Sequence, residues 1–264
     1  GALFLYGGRS TIQPETGKTW TAGAVLTPSF IPGLSLTADY YDITIDNAVG
    51  AVLPQATLDT CFVIARDINN LFCQQVARQA NGQLASVNSS DINVATLQSR
   101  GVDVVGNYRF NLAATRVGLS YAGSYVISQK QQNGVTAPIV ECAGRFGATC
   151  GLETRRALPQ YRHRADLTLG GGPVTLRGTW RLEGPVRDDA AATVYKVERI
   201  GTQNYVDLAL SFDVSRRATF VIGVDNLFDR QPPLAFSNAA DANTFPQSYD
   251  VIGRRFGVSF TFRN

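Results

Sequence analysis

The sequence has 264 residues, 44% of them hydrophobic and 17% charged, with a formal net charge of +3. That length suits one large β domain or two ordinary ones, and the charge is too small to point to nucleic acid or an anionic membrane surface. No run approaches the ~20 apolar residues of a spanning helix, no charged-then-apolar export signal is present, and the chain has no methionine, so it reads as a piece processed or cut from something longer.

Residues 1–20 read as an open loop leading into a strand. From there the dominant signal is alternation with period two, the mark of a strand with one apolar and one polar face. Trp20, Ala22, Ala24 and Leu26 alternate with Thr19, Thr21 and Gly23; after a Pro-Gly turn, Leu34, Leu36, Ala38 and Tyr40 alternate with Ser35, Thr37 and Asp39. Helical character is confined to the region 57–80, a turn or two held between Cys61 and Cys73. Alternation returns with Val102, Val104, Gly106, Tyr108 and Phe110, then with Val117, Leu119, Tyr121 and Tyr125. Further on, Ala165, Leu167 and Leu169 stand against Arg162, Arg164, Asp166 and Thr168, and Val174, Leu176, Trp180 and Leu182 against Thr175, Arg177, Thr179, Arg181 and Glu183. Val206 to Val214 and Ala218 to Val224 give two more strands. Phe256, Val258, Phe260 and Phe262 close the series, against Arg255, Gly257, Ser259 and Thr261.

About nine strands result, each near the 9–11 residues that a tilted membrane-crossing strand needs. Their connections alternate between short ("SFIPG", "NLAAT", "GGP", "SRR") and long (46–96, 128–158, 185–203, 230–249). In a meander this puts every tight turn at one end and every long loop at the other, the asymmetry of transmembrane β-barrels. A soluble sandwich also alternates, and alternation alone does not separate the two. The loop asymmetry does, together with the drift of Trp20, Tyr40, Tyr108, Tyr125 and Trp180 toward strand ends.

The cysteines form two close pairs, Cys61 with Cys73 and Cys142 with Cys150. A metal site is the rival reading, but His163 is the one histidine, it lies outside both pairs, and neither has CxxC spacing. Two local disulfides formed in an oxidising compartment fit better. Catalysis has little to build on: there is no GxSxG elbow and no glycine-rich phosphate loop, so the expectation is no enzyme, no cofactor and no metal. The charges Arg177, Arg181, Glu183, Asp207, Asp213, Asp225 and Arg255 are expected to pair with one another or with something filling the interior, because burying unpaired charge is costly. Ligand contact is expected from the long loops, with Arg145, Phe146, Tyr195 and Phe236 as candidates.

Several strings resemble one family in its own order. "TIQPETGKTWTAGAVLTP" (11–28), with Pro14 and Glu15, is similar to a loop-to-strand entry of TonB-dependent outer-membrane receptors, and "GLSLTADYYDITIDNAV" (33–49) to the strand after it. "GVDVVGNYRF" (101–110), "VDNLFD" (224–229), with Asn226, Leu227, Phe228 and Asp229, and "YDVIGRRFGVSFTF" (249–262), with Gly253 and Arg254, resemble later strands of the same barrel. The resemblance implies an all-β, antiparallel up-and-down barrel of about 22 strands in the Gram-negative outer membrane, with a plug in its lumen. Residues 1–264 would be its C-terminal portion, lacking the plug domain and the N-terminal strands. The implied function is TonB-energised uptake of a scarce nutrient such as a ferric siderophore. The implied partners are outer-membrane lipid, the receptor's own plug, the TonB complex acting through the missing N-terminal region, and an unnamed small-molecule ligand. The alternatives are part of a passive porin-like channel or a soluble β-rich binding module. The family's usual terminal aromatic is displaced, Phe262 being followed by Arg263 and Asn264. An isolated open sheet of this kind should aggregate without detergent.

Overall fold

A computed structural model describes residues 3–8, 10–50, 54–89, 91–133, 139–147, 150, 156–189, 197–235 and 243–263. Nine strands dominate: β1 (Thr16–Leu26), β2 (Leu34–Gly50), β3 (Ile92–Leu112), β4 (Thr115–Asn133), β5 (Tyr161–Gly171), β6 (Val174–Glu183), β7 (Gln203–Ser215), β8 (Ala218–Asp225) and β9 (Arg255–Phe262). They pair in chain order from β1 to β9, with a short strand, Val140–Glu141, added beside β4. Registers are antiparallel from β4 to β9. The path has two ends, β1 and β9, and every residue of both is exposed.

Contacts divide the chain into two compact units, one of residues 1–20, 42–99 and 129–141 and the other of residues 21–41, 100–128 and 142–264. In the second unit the turns at Ala113–Ala114, Gly172–Pro173 and Arg216–Arg217 are two residues long, as a meander with tight turns requires.

Two expectations need correction in length. β2, β3 and β4 run 17, 21 and 19 residues, about twice the 9–11 that cross a bilayer. The first two long connections are therefore 51–91 and 134–160. Beyond the crossing segment both faces of a hairpin can be wet, so "SQKQQN" keeps its backbone pairing while losing the alternation that made the strand visible.

The first unit also corrects two local expectations. The helix begins at Pro54 and passes into a π turn, Thr60–Ala65, while Val76–Arg78 is strand. The stretch expected to be open at the start contributes Leu3–Leu5, which pairs in parallel with Leu84–Asn88; Val76–Arg78 pairs with the other side of Leu84–Asn88. The Cys61–Cys73 disulfide forms, and its Cys61 packs with Phe72.

The apolar face of the strands has no second layer over it among the described residues. Leu167 in the middle of β5 is 42% exposed and Leu210 in the middle of β7 is 44% exposed. The larger apolar core of the described residues lies in the loops instead: Phe146, Ala157, Val186, Ile200, Ala235, Phe245 and Tyr249.

Candidate functional site

The long connections of the second unit fold into one body. Arg145–Phe146, Val186–Asp188 and Arg199–Ile200 form a small three-stranded sheet. The Cys142–Cys150 disulfide brackets the segment that carries its first strand. Gly144 donates its N–H to the Leu158 carbonyl at 2.7 Å, and Leu158 donates to the Arg145 carbonyl at 3.0 Å. Asp189 donates its backbone N–H to Phe146, and its carboxylate accepts the Cys150 N–H. Alternation within this short strand turns Phe146 into the core, where it meets Phe245 edge-on at 5.7 Å, and leaves Arg145 exposed. Of the loop residues expected to reach a ligand, Arg145 is on the surface and Phe146 is a core residue. Tyr195 and Phe236 lie outside the described residues.

This body is tied to the polar face of the strands by charge. Arg181 on β6 donates from Nε and Nη2 to Asp207 on β7, at 2.8 and 3.0 Å. It also donates from Nη1 and Nη2 to Asp250 in the last loop, at 3.0 and 2.7 Å. A planar guanidinium suits such paired forks, and its flat face lies 5.0 Å from the Tyr205 ring. Asp207 accepts a further N–H from Asn226 at 2.8 Å. Arg164 holds Asp166 in the same two-pronged way, and Arg255 reaches Asp225 at 3.2 Å. The expected pairing of strand charges is thus present for Arg181, Asp207, Asp225 and Arg255. Asp250 lies in the recognised string 249–262 but outside its alternating part, so its pairing with Arg181 gave no signal in the sequence.

The NLFD and GR segments, 25 residues apart, meet. Asn226 and Asp229 take left-handed φ values of 54° and 52°, a conformation that asparagine and aspartate tolerate. The Asn226 amide accepts the Arg230 N–H and donates to the Arg230 carbonyl, both at 2.9 Å, closing a local clip. Leu227 donates its N–H to Val206, and Phe228 points out at 74% exposure. The Asp229 carboxylate accepts the Arg254 N–H at 2.8 Å, and the Arg254 side chain reaches the Leu227 carbonyl. Gly253 has φ 76°, and any Cβ there would stand 2.7 Å from that carboxylate. In the first unit, Pro14 and Glu15 sit in a similar lock: Glu15 accepts the Val49 N–H at 2.6 Å, and Asn93 bridges Gln13 and Asn47. Asn47 and Asn93 were invisible in the sequence because a bridging amide needs no periodicity.

Beneath the loop body a cavity of about 440 Å³ opens on the polar face, lined by Asp103, Ser124, Arg162, Arg181, Glu183 and Tyr205 among others, with Ser248 from the last loop. Tyr249 is buried beside Ser248, and burial pushes its phenol above its ordinary value. Nearer the tight turns a second cavity, about 640 Å³, is lined by Arg109, Arg116 and Arg177 with Asn107, Thr168 and Thr175. The register sets Arg177 beside Thr168, and Thr168 beside Gly118. None of these three arginines forms an ion pair shorter than 4.0 Å among the described residues. Together the cavities offer charged and hydroxyl-bearing walls for polar solutes or a polar filling, with no group of three or more metal-ligating side chains among the described residues.

A family profile described as TonB-dependent receptor-like β-barrel matches residues 1–227. Among solved structures, a mutant of the ferric enterobactin receptor of Pseudomonas aeruginosa is 17% identical, covering 94% of this chain and 31% of its own, with a TM-score of 0.62. The FrpB iron transporter of Neisseria meningitidis is 10% identical, covering 98% and 32%, with a TM-score of 0.58. The copper transporter OprC is 18% identical, covering 96% and 33%, at 0.53. The chain thus spans about a third of the length of the structures it matches. No sequence relative is found among curated proteins.

Proposed function

This chain belongs to the TonB-dependent receptor-like β-barrel family, and on that premise we propose that it is the C-terminal part of the barrel of an energised outer-membrane importer. The observation that carries the reading is the pairing of two surfaces: an apolar strand face with no covering layer among the described residues, and long loops that fold onto the polar face through Arg181, Asp207 and Asp250. Such a wall separates hydrocarbon from a wet lumen, as outer-membrane barrels do. The cargo is a scarce nutrient, with a ferric siderophore as the leading class. Structures of similar fold include one named as a ferric enterobactin receptor and one as an iron transporter. Arg145, exposed between the bonded cysteines, is the loop cation offered to an anionic chelate in this reading.

The plug of the complete receptor is the partner for the polar face. Arg109, Arg116 and Arg177 around the lower cavity would find their counter-charges on it, since cations enclosed without partners are costly. Ligand held by the loops would be released inward when TonB acts on the plug.

The test is uptake by cells carrying the complete receptor, with radio-iron delivered as a panel of ferric siderophores. Saturable uptake of one member, lost when TonB is deleted, is the expected result. Uptake unchanged by that deletion would instead describe a passive channel. Arg145→Gln should weaken uptake with no loss of receptor from the membrane.

A further inference from the structure

Two aromatic side chains on the apolar face lean the same way, and the place they leave is open. The register puts Tyr121 and Trp180 on either side of Ala165. Tyr121 lies over Gly123, whose missing side chain makes the room: a Cβ there would fall 2.2 Å from the tyrosine hydroxyl. Its hydroxyl meets that of Tyr161 at 2.8 Å, and Tyr161 in turn bonds His163 Nδ1 at 2.8 Å. Trp180 stacks edge-on against His163 at 4.2 Å and donates its indole N–H to Asn204 at 3.0 Å. His163 is 8% exposed, and its Nε2 has no hydrogen-bond partner among the described residues. The imidazole therefore works as a packing ring that holds both aromatics toward the long-loop end.

Below them, over Ala165 and between Gly106 and Gly178, runs a groove of about 480 Å³ walled by Leu34, Leu36, Leu119, Leu167 and Val206. Its exposed lining is almost wholly apolar. It is a dent in the face that the bilayer must solvate, and an unfilled dent forfeits dispersion contacts along its whole lining.

We propose that this groove is a seat for one acyl chain of an outer-leaflet lipid, with the lipid's polar end at the level of the Tyr121 and Tyr161 hydroxyls. The occupant follows from continuity with the lipid-facing surface: hydrocarbon is the solvent there, and a flexible chain is the shape that fills a narrow apolar trough. The hydroxyl pair, one step nearer the loops, has the position and chemistry of an interfacial aromatic belt. The seat does not depend on what the receptor transports.

The complete receptor, reconstituted in phosphatidylcholine vesicles with a trace of phosphatidylcholine carrying a diazirine on one acyl chain, provides the test. After illumination, peptides containing residues 119–121, 165–167 and 178–180 should carry several-fold more label than residues 256–260 of β9, where Phe256, Val258 and Phe260 stand exposed on the apolar face. A Cβ at Gly178 would sit at ordinary contact distance, 3.5 Å from Leu208, so Gly178→Leu should build into the groove and lower the label to the β9 level. Gly178→Ala, a smaller change, should lower it partway. Equal labelling of all lipid-facing strands in the unaltered receptor, or label unaffected by Gly178→Leu in a folded receptor, would overturn the proposal.

Discussion

The strand wall and the loop body of the second unit are built from similar apolar residues and treat them in opposite ways. On the wall, Leu167, Leu210 and Ile222 lie in the middle of long paired strands and are still more than 40% exposed. In the loops, Phe146, Val186 and Phe245 are fully enclosed although their strands are two or three residues long or absent. The difference is one of solvent. A segment standing in water folds only by covering its apolar groups, and the loop body does so with a core and a disulfide. A segment standing in hydrocarbon has no such demand. What it must satisfy is its backbone, which an uninterrupted ladder does.

That contrast can be attacked from either side. The largest effect is expected from Phe245→Ala, which removes the ring against Phe146 and should cost about 3–5 kcal/mol locally. Hydrogen exchange in the complete receptor should speed up at 145–146, 186–188 and 199–200 while β5 to β8 stay protected. If the wall loosened equally, the two regions would be a single cooperative body.

On the wall, Leu167→Arg should cost about 2–4 kcal/mol in denaturant titration from phospholipid vesicles, because it puts a charge into the hydrocarbon. Thr168→Gln, one residue along and on the polar face, adds no charge beside Arg177 and should stay within about 0.5 kcal/mol of the unaltered protein. An effect smaller than that of Leu167→Arg is expected at the joint between the regions. Asp250→Asn weakens one of Arg181's two forks, both partners being partly exposed, and should cost about 1 kcal/mol. Faster exchange confined to residues 245–254 would be its signature.

The same division of solvents explains which parts could be read in the sequence. All nine strands were legible because lipid on one side and water on the other impose alternation, as in Val206 to Val214. Where both sides are wet, as along Gln129 to Gln132, the strand continued and the signal stopped. The loop body was nearly illegible: Phe245 and Asp189 come from stretches with no period, and their partners Phe146 and Cys150 are 99 and 39 residues away. Arg145 and Phe146 were singled out together because they lie between paired cysteines, yet a strand of two residues sends one outward and one inward. The NLFD and GR segments were recognisable as strings, while their meeting depends on the left-handed backbone at Asn226 and Asp229 and on the room at Gly253.

Site-directed spin labels placed singly at residues 207 to 212 of β7 in the complete, bilayer-embedded receptor give the most direct reading of which side hydrocarbon occupies. Labels at 208, 210 and 212 should collide preferentially with dissolved oxygen, and those at 207, 209 and 211 with a polar nickel chelate or with neither where the interior is filled. Equal or reversed accessibility at 208, 210 and 212 would mean that these side chains meet a protein layer or water, and the membrane wall described for this chain would be wrong.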